Sequence, residues 1–331
     1  MRLDELPSSE NVEDRRGDGG VGFGTGARGG LGIGTIVVLG LIGWALGIDP
    51  RLLIGGAEML SGGGSSYEQP SPGSPRGAPG TETGTPSDPM GRFVSLVLGS
   101  TEVQWKELFA RSGKTYEPPR LVMFSGATRS ACGFAQSAMG PFYCPNDRKV
   151  YLDTAFFEDL ERRFRACDSS KACQFSEAYV IAHEVGHHVQ NLLGILPKAQ
   201  QVQQELDKTE ANRVQVRVEL QADCLAGVWA FHAEEKWRLL EPGDVESALQ
   251  TASAIGDDRL QRQATGHVVP DAFTHGSSAQ RTRWFTTGLK SGSLANCDTF
   301  SAPYLSGKPP RYRVILCHVE GFCGQCGCGN S

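Results

Sequence analysis

Residues Tyr179–Gln190 read YVIAHEVGHHVQ. On a helix, residues four apart share one face, about 5–6 Å apart at Cβ, so His183 and His187 can meet a single ion. Imidazole nitrogens bind zinc at about 2.0–2.1 Å. Glu184, directly after the first histidine, stands where a carboxylate reaches an ion-bound water without itself binding the ion. The pattern needs a helix, and its surroundings supply one. Ser176 and Glu177 suit a start, Val180, Ile181, Val185 and Leu192 form an apolar stripe, and Gly194 suits a stop.

A catalytic zinc usually takes three protein ligands and leaves one position open. The run TEANRVQVRVELQADCLAGVWAFHAEE is a second helical segment, with Glu219, Asp223, Ala226 and Ala230 at helical spacing. Glu219 has the reach of a third ligand. Asp223, one turn on, suits an acceptor for the spare N–H of a ligating histidine, fixing its tautomer. An exposed face with acids four apart is the plainer reading, and the upstream histidine pair weighs against it. His275, in FTHGSSAQR, precedes a helix that Ser277 or Ser278 would cap. A transition-state role and a structural hydrogen bond both stay open for it. Arg281 reads as an ion-pair partner rather than a substrate clamp. His188 points about 100° away from His187 on the helix and is not a ligand, while His232 and His267 default to structure.

The segments HEVGHH, ELQADCLAGVWA, IGDDRLQ and THGSSAQRTRWF resemble the bacterial neutral zinc metallopeptidase family, membrane-tethered relatives of the gluzincin proteases. The resemblance runs from about Arg92 to Phe300 and includes an apolar span upstream. It implies a zincin-like fold with one catalytic Zn2+ on His183, His187 and Glu219, Glu184 as base and Asp223 behind the ligands. It also implies a protein or peptide substrate. In membrane-associated gluzincins a histidine placed like His275 helps stabilise the oxyanion. Gly276 stands here in place of a proline, which leaves the placement of that histidine open.

Around this core the chain divides by composition. Residues 1–30 are polar, then Gly-rich, and are expected to lack structure. Residues 31–54 open with LGIGTIVVLGLIGWALGI, Leu31–Ile48, which is free of charge and long enough, at roughly 27 Å, to cross a hydrocarbon core as one helix. Arg15, Arg16 and Arg28 before it favour a cytoplasmic N-terminus and an extracytoplasmic C-terminal part in the cell envelope. Residues 55–91 form a Gly/Ser/Pro linker, 92–306 the metallopeptidase domain, and 307–331 a Cys-rich tail. A helix is expected over FVSLVLGSTEVQWKELFARSG, ended by Gly113, then strands at Arg120–Gly126 and Lys149–Asp153. The second strand could pair with an extended substrate. The class is α+β, mostly helical with a small sheet, behind one transmembrane helix. A net charge of −5 without a long basic run gives no support for a nucleic-acid partner.

Ten cysteines suit an oxidising compartment. Cys132 and Cys144 bracket one loop, Cys167 and Cys173 another, and a bridge from Cys224 to Cys297 would clamp the ligand helix. The family resemblance supports the 132–144 and 224–297 pairings. Cys317, Cys323, Cys326 and Cys328, beside His318, suit two tail disulfides or a second metal. A redox protein built on that tail lacks a βαβ setting. The function these features point to is a membrane-tethered zinc endopeptidase. The alternative is a catalytically idle zinc scaffold that binds partners at the membrane. Every catalytic role is filled, which favours the enzyme.

Overall fold

The computed structural model describes residues 1–17, 82–83, 86–162 and 170–302. RLVMF and KVYLD form β3 (Arg120–Phe124) and β7 (Lys149–Asp153), paired in parallel with Leu121 opposite Val150. Side chains alternate across a sheet, and here both faces are covered. Leu121, Met123, Val150 and Leu152 enter the main helical core, while Val122, Phe124 and Tyr151 join Ala135 and Cys144 in a smaller cluster. Burial on both faces explains why RLVMF is apolar almost without interruption. Ala135 comes from a hairpin of β4 (Ala127–Ser130) and β5 (Gly133–Gln136), a segment read from sequence only as a loop. A Cys132–Cys144 disulfide ties the hairpin turn to β6 (Phe142–Cys144).

Two further strands complete the sheet, β1 (Val12–Asp14) and β2 (Glu82–Thr83), in the order β2-β1-β3-β7-β6. Residues 1–17 are therefore part of the fold, against the expectation of a structureless arm. Val12 is fully buried beside Leu121, Leu6 packs into the main core, and Ser9 bonds to Ser95 and Glu102. The charges that made this stretch look like an arm are partnered: Glu13 with Arg15 and Lys149, Asp14 with Arg16, and Arg16 with Asp88 as well. Parallel pairing of β1 with β3 places residues 12–14 in the same sheet as the rest of the domain. The expected linker gives way before its end. Glu82–Thr83 is strand, and α1 (Pro89–Arg111) starts inside it, capped by the Asp88 side chain on the Gly91 N–H.

The expected pairing of Lys149–Asp153 with substrate meets an obstacle. β7 is interior, with β3 on one side and β6 opposite Lys149, Val150 and Tyr151 on the other. The outer strands are β2 and β6. The span Leu31–Ile48, the linker as far as residue 81 and the Cys-rich tail lie outside the described residues. No described helix is long and apolar enough to cross a membrane.

After the sheet come α2 (Ala155–Arg162), α3 (Ser170–Leu192), α4 (Ile195–Gln204), α5 (Lys208–Trp237), α6 (Asp244–Ala254), α7 (Asp257–Thr265) and α8 (Ser278–Ser291). α3 begins at Ser170, more than a turn ahead of the expected start. Ser176 is no cap: it is buried mid-helix with its hydroxyl 2.7 Å from that of Ser247 on α6.

The central helix α5 packs against α3 and α8, and glycines set both approaches. A Cβ on Gly186 of α3 would sit 3.0 Å from the Ala222 carbonyl oxygen of α5. On the far side, a Cβ on Gly288 of α8 would run into the Cys224 carbonyl, and one on Gly227 into that of Phe285. A Cys224–Cys297 disulfide then fastens α5 to the segment after α8.

Candidate metal centre

The Gly186–Ala222 contact lies between the histidines of α3 and beside Glu219 of α5, so the helices cross where the donors are. Glu219 Oε2 is 3.3 Å from His183 Nε2 and 3.4 Å from His187 Nε2. A tetrahedral ion with bonds of 2.0–2.1 Å holds its ligand atoms about 3.3 Å apart, so both spacings fit zinc. All three donor atoms lie within 4.8 Å of one another, and no other such cluster occurs among the described residues.

The other ring nitrogens decide whether the Nε2 lone pairs are available. His183 Nδ1 is 2.8 Å from Asp223 Oδ1, and an ionised carboxylate only accepts, so Nδ1 carries the proton. His187 Nδ1 is 2.8 Å from Gln190 Oε1. The amide orientation of Gln190 is fixed because its Nε2 donates to the Val218 carbonyl at 2.8 Å and to Gln221 Oε1 at 2.9 Å. In the neutral rings the lone pairs are therefore on the Nε2 atoms that face Glu219, the arrangement a metal requires. Arg281 holds Asp223 through Nε to Oδ2 and Nη2 to Oδ1, each 2.9 Å, and the Tyr179 hydroxyl donates to Oδ1 at 2.5 Å.

Charge balance makes the same point. Glu184, Glu219, Asp223 and Arg281 are all buried. With neutral imidazoles, three carboxylates against one guanidinium leave two negative charges, which a divalent cation offsets. Without a cation, protons take its place. Burial opposes charge on His183, but Asp223 and Glu219 outweigh it and hold the imidazole up to about 10. His187 is likewise raised, burial again being outweighed by Glu219. Glu219 lies well below the usual carboxylate range, because the histidines overcome its desolvation. Glu184 is pushed up from the ordinary carboxylate value, chiefly by burial. It has no hydrogen-bond partner among the described residues, which leaves its oxygens for water or substrate.

His275 lies on the loop before α8, with Nδ1 3.2 Å from Asp257 Oδ1 and 3.0 Å from the Thr274 hydroxyl. Three other histidines are held elsewhere. His188 is buried between the Tyr143 hydroxyl and the Glu117 carbonyl, and burial lowers it to about 4. His232 contacts Glu235 and the Gly292 carbonyl, and His267 is an exposed loop residue. Cys173 is buried and disulfide-bonded, whereas Cys167 lies outside the described residues.

The family model described as "Putative neutral zinc metallopeptidase" matches residues 1–300. The chain belongs to this family. Its extent takes in the N-terminal strand, beyond the resemblance that started near Arg92, and its description implies zinc. Among similar proteins, the uncharacterized protein YpfJ of Escherichia coli is 46% identical over 308 residues, covering 91% of this chain and 99% of its own. The uncharacterized protein Rv2575 of Mycobacterium tuberculosis is 46% identical over 224 residues, 64% of this chain and 72% of its own. No solved structure matches the chain.

Gln190, Tyr179 and Asp257 escaped the sequence reading. The first two carry a legible signal, since Gln190 is three residues after His187 and Tyr179 four before His183, both on the ligand face. Asp257 carries none, because its partners lie 17–19 residues away on another element.

Proposed function

We propose that the protein is a zinc-dependent endopeptidase that hydrolyses peptide bonds. The observation that supports this most directly is the pair of histidines with both Nδ1 atoms engaged, both Nε2 atoms facing Glu219, and Glu184 buried beside them without a partner. Zinc bound there would polarise a substrate carbonyl and lower the pKa of a water it holds. Glu184 would take the proton of the water that attacks the carbonyl carbon and deliver it to the leaving amine nitrogen. His183, His187 and Glu219 hold the ion, and Asp223 with Arg281 and Tyr179 keeps the His183 ring from rotating. His275 donates to the developing oxyanion. The apolar run Leu31–Ile48 would hold the enzyme at a membrane, in an oxidising compartment that suits the Cys132–Cys144 and Cys224–Cys297 bonds.

Glu184→Gln separates zinc binding from chemistry. The variant is expected to carry zinc at wild-type stoichiometry and to lose cleavage of casein or a peptide library, as the wild type does when a chelator removes the metal. Cleavage by the Gln variant at the wild-type rate would exclude Glu184 as base. A zinc-loaded wild type without peptidase activity would point to an idle scaffold.

A further inference from the structure

The His275 loop is held by one side chain. Asp257, the first residue of α7, is buried, and its Oδ2 accepts the backbone N–H groups of Thr274, His275 and Gly276 at 2.7, 2.6 and 3.0 Å. Its own N–H donates to the Gly276 carbonyl at 2.9 Å. Its other oxygen, Oδ1, meets His275 Nδ1. A single carboxylate thus fixes both the path of the loop and the rotation of the imidazole.

The loop is also pressed against the ligand helix. Gly276 has φ of +93°, and a Cβ there would sit 3.1 Å from Leu220 Cδ2 and 3.3 Å from Val216 Cγ1, residues on either side of Glu219 on α5. The His275 side chain is 51% exposed and that of Asp257 only 11%. Nδ1 is turned inward to the carboxylate, which leaves Nε2 as the nitrogen that substrate can meet.

On the peptidase reading, we propose that Asp257 is a positioning residue for hydrolysis, holding His275 so that Nε2–H points to the developing oxyanion. Donation from Nε2 while Nδ1 donates to Asp257 requires the imidazolium form. The Asp257 carboxylate of α7, 3.2 Å from Nδ1, is the charge placed to favour that form.

The test uses the zinc-loaded full chain with Asp257→Asn, His275→Ala and the double variant. Asparagine keeps an oxygen for the backbone N–H groups and removes the negative charge from Nδ1. Loss of one oxyanion donor costs about 10²–10³ in kcat, the range expected for His275→Ala. Asp257→Asn is expected to lower kcat at least tenfold with KM little changed, and to move the alkaline limb of the kcat profile to lower pH. It should have no further effect when His275 is already alanine.

A second readout is independent of turnover. The NMR titration midpoint of the His275 ring, assigned by its disappearance in His275→Ala, should fall in Asp257→Asn. If Asp257→Asn does not fold, Asp257→Glu, which shifts the charge by one methylene, carries the same comparison. Costs of Asp257→Asn and His275→Ala that add in the double variant, or an unmoved midpoint, would overturn this inference alone. A wild type inert toward peptides would overturn the peptidase reading with it.

Discussion

Gln190→Ala tests whether a ligand's orientation or merely its presence makes the metal site. Gln190 accepts from His187 Nδ1 and donates to Val218 and Gln221, so its removal has two separable effects. Without its acceptor the His187 ring loses its fixed tautomer and rotation. Removing such a partner costs about 10–100-fold in metal affinity, or about 1.4–2.7 kcal/mol. The Gln221 amide oxygen also loses a donor in a buried place, while the Val218 carbonyl keeps its place in the α5 helix. An unsatisfied buried group costs about 1–3 kcal/mol, the loss expected in the metal-free protein. Gln190→Glu divides the two effects. It keeps an acceptor for Nδ1 but cannot donate to Gln221, so zinc affinity should fall less than in Gln190→Ala while metal-free stability falls at least as far. Competition against a chromophoric chelator measures the first quantity, and denaturant unfolding of the metal-free protein the second. Zinc affinity within twofold of wild type in Gln190→Ala would refute the reasoning, leaving Gln190 as a tie between helices only.

Zinc binding should expel protons. His183 is held up to about 10 in the metal-free pocket and His187 is raised too, so at pH 7–8 the metal must displace a proton from His183, whereas Glu219 is already ionised. Titration calorimetry in buffers of different ionisation enthalpy should report about one proton or more released at pH 7–8, falling as pH passes about 10 and His183 deprotonates unaided. Release near zero at pH 8 would show the rings to be neutral beforehand. Replacing both Cys224 and Cys297 by serine opens a loop with a sequence separation of 73 residues. Loop-closure entropy alone puts the cost near about 4 kcal/mol, so the melting temperature should drop by several degrees or more, as wild type should on reduction. An unchanged melting temperature would mean that the helix contacts of Gly227 and Gly288 suffice.

What could be read from sequence was what repeats at helical spacing. His183, Glu184 and His187 sit within one turn, and Glu219 and Asp223 one turn apart on a second helix, so a few residues of context disclose them. The meeting of those helices is carried by Gly186 and Ala222, whose small size is visible but whose pairing is not. Strand β1 was hidden for a different reason. It is three residues long, two of them acidic, in a polar stretch, and neighbouring strands rather than intrinsic preference make it a strand. The start of α3 was misplaced because Ser176 looks like a cap by type and is a buried helix contact by position. The β4–β5 hairpin, with alternation too short to register, passed for a loop between cysteines.

The place of Val12–Asp14 between Glu82–Thr83 and Arg120–Phe124 makes the first residues of the chain part of the sheet-bearing unit. Positions 12–14 and 120–124 should then face the same side of any bilayer the protein meets. Arg15 and Arg16 are already engaged with Glu13, Asp14 and Asp88. An impermeant thiol reagent should reach cysteines introduced at Asp4 and at Lys114 from one and the same side.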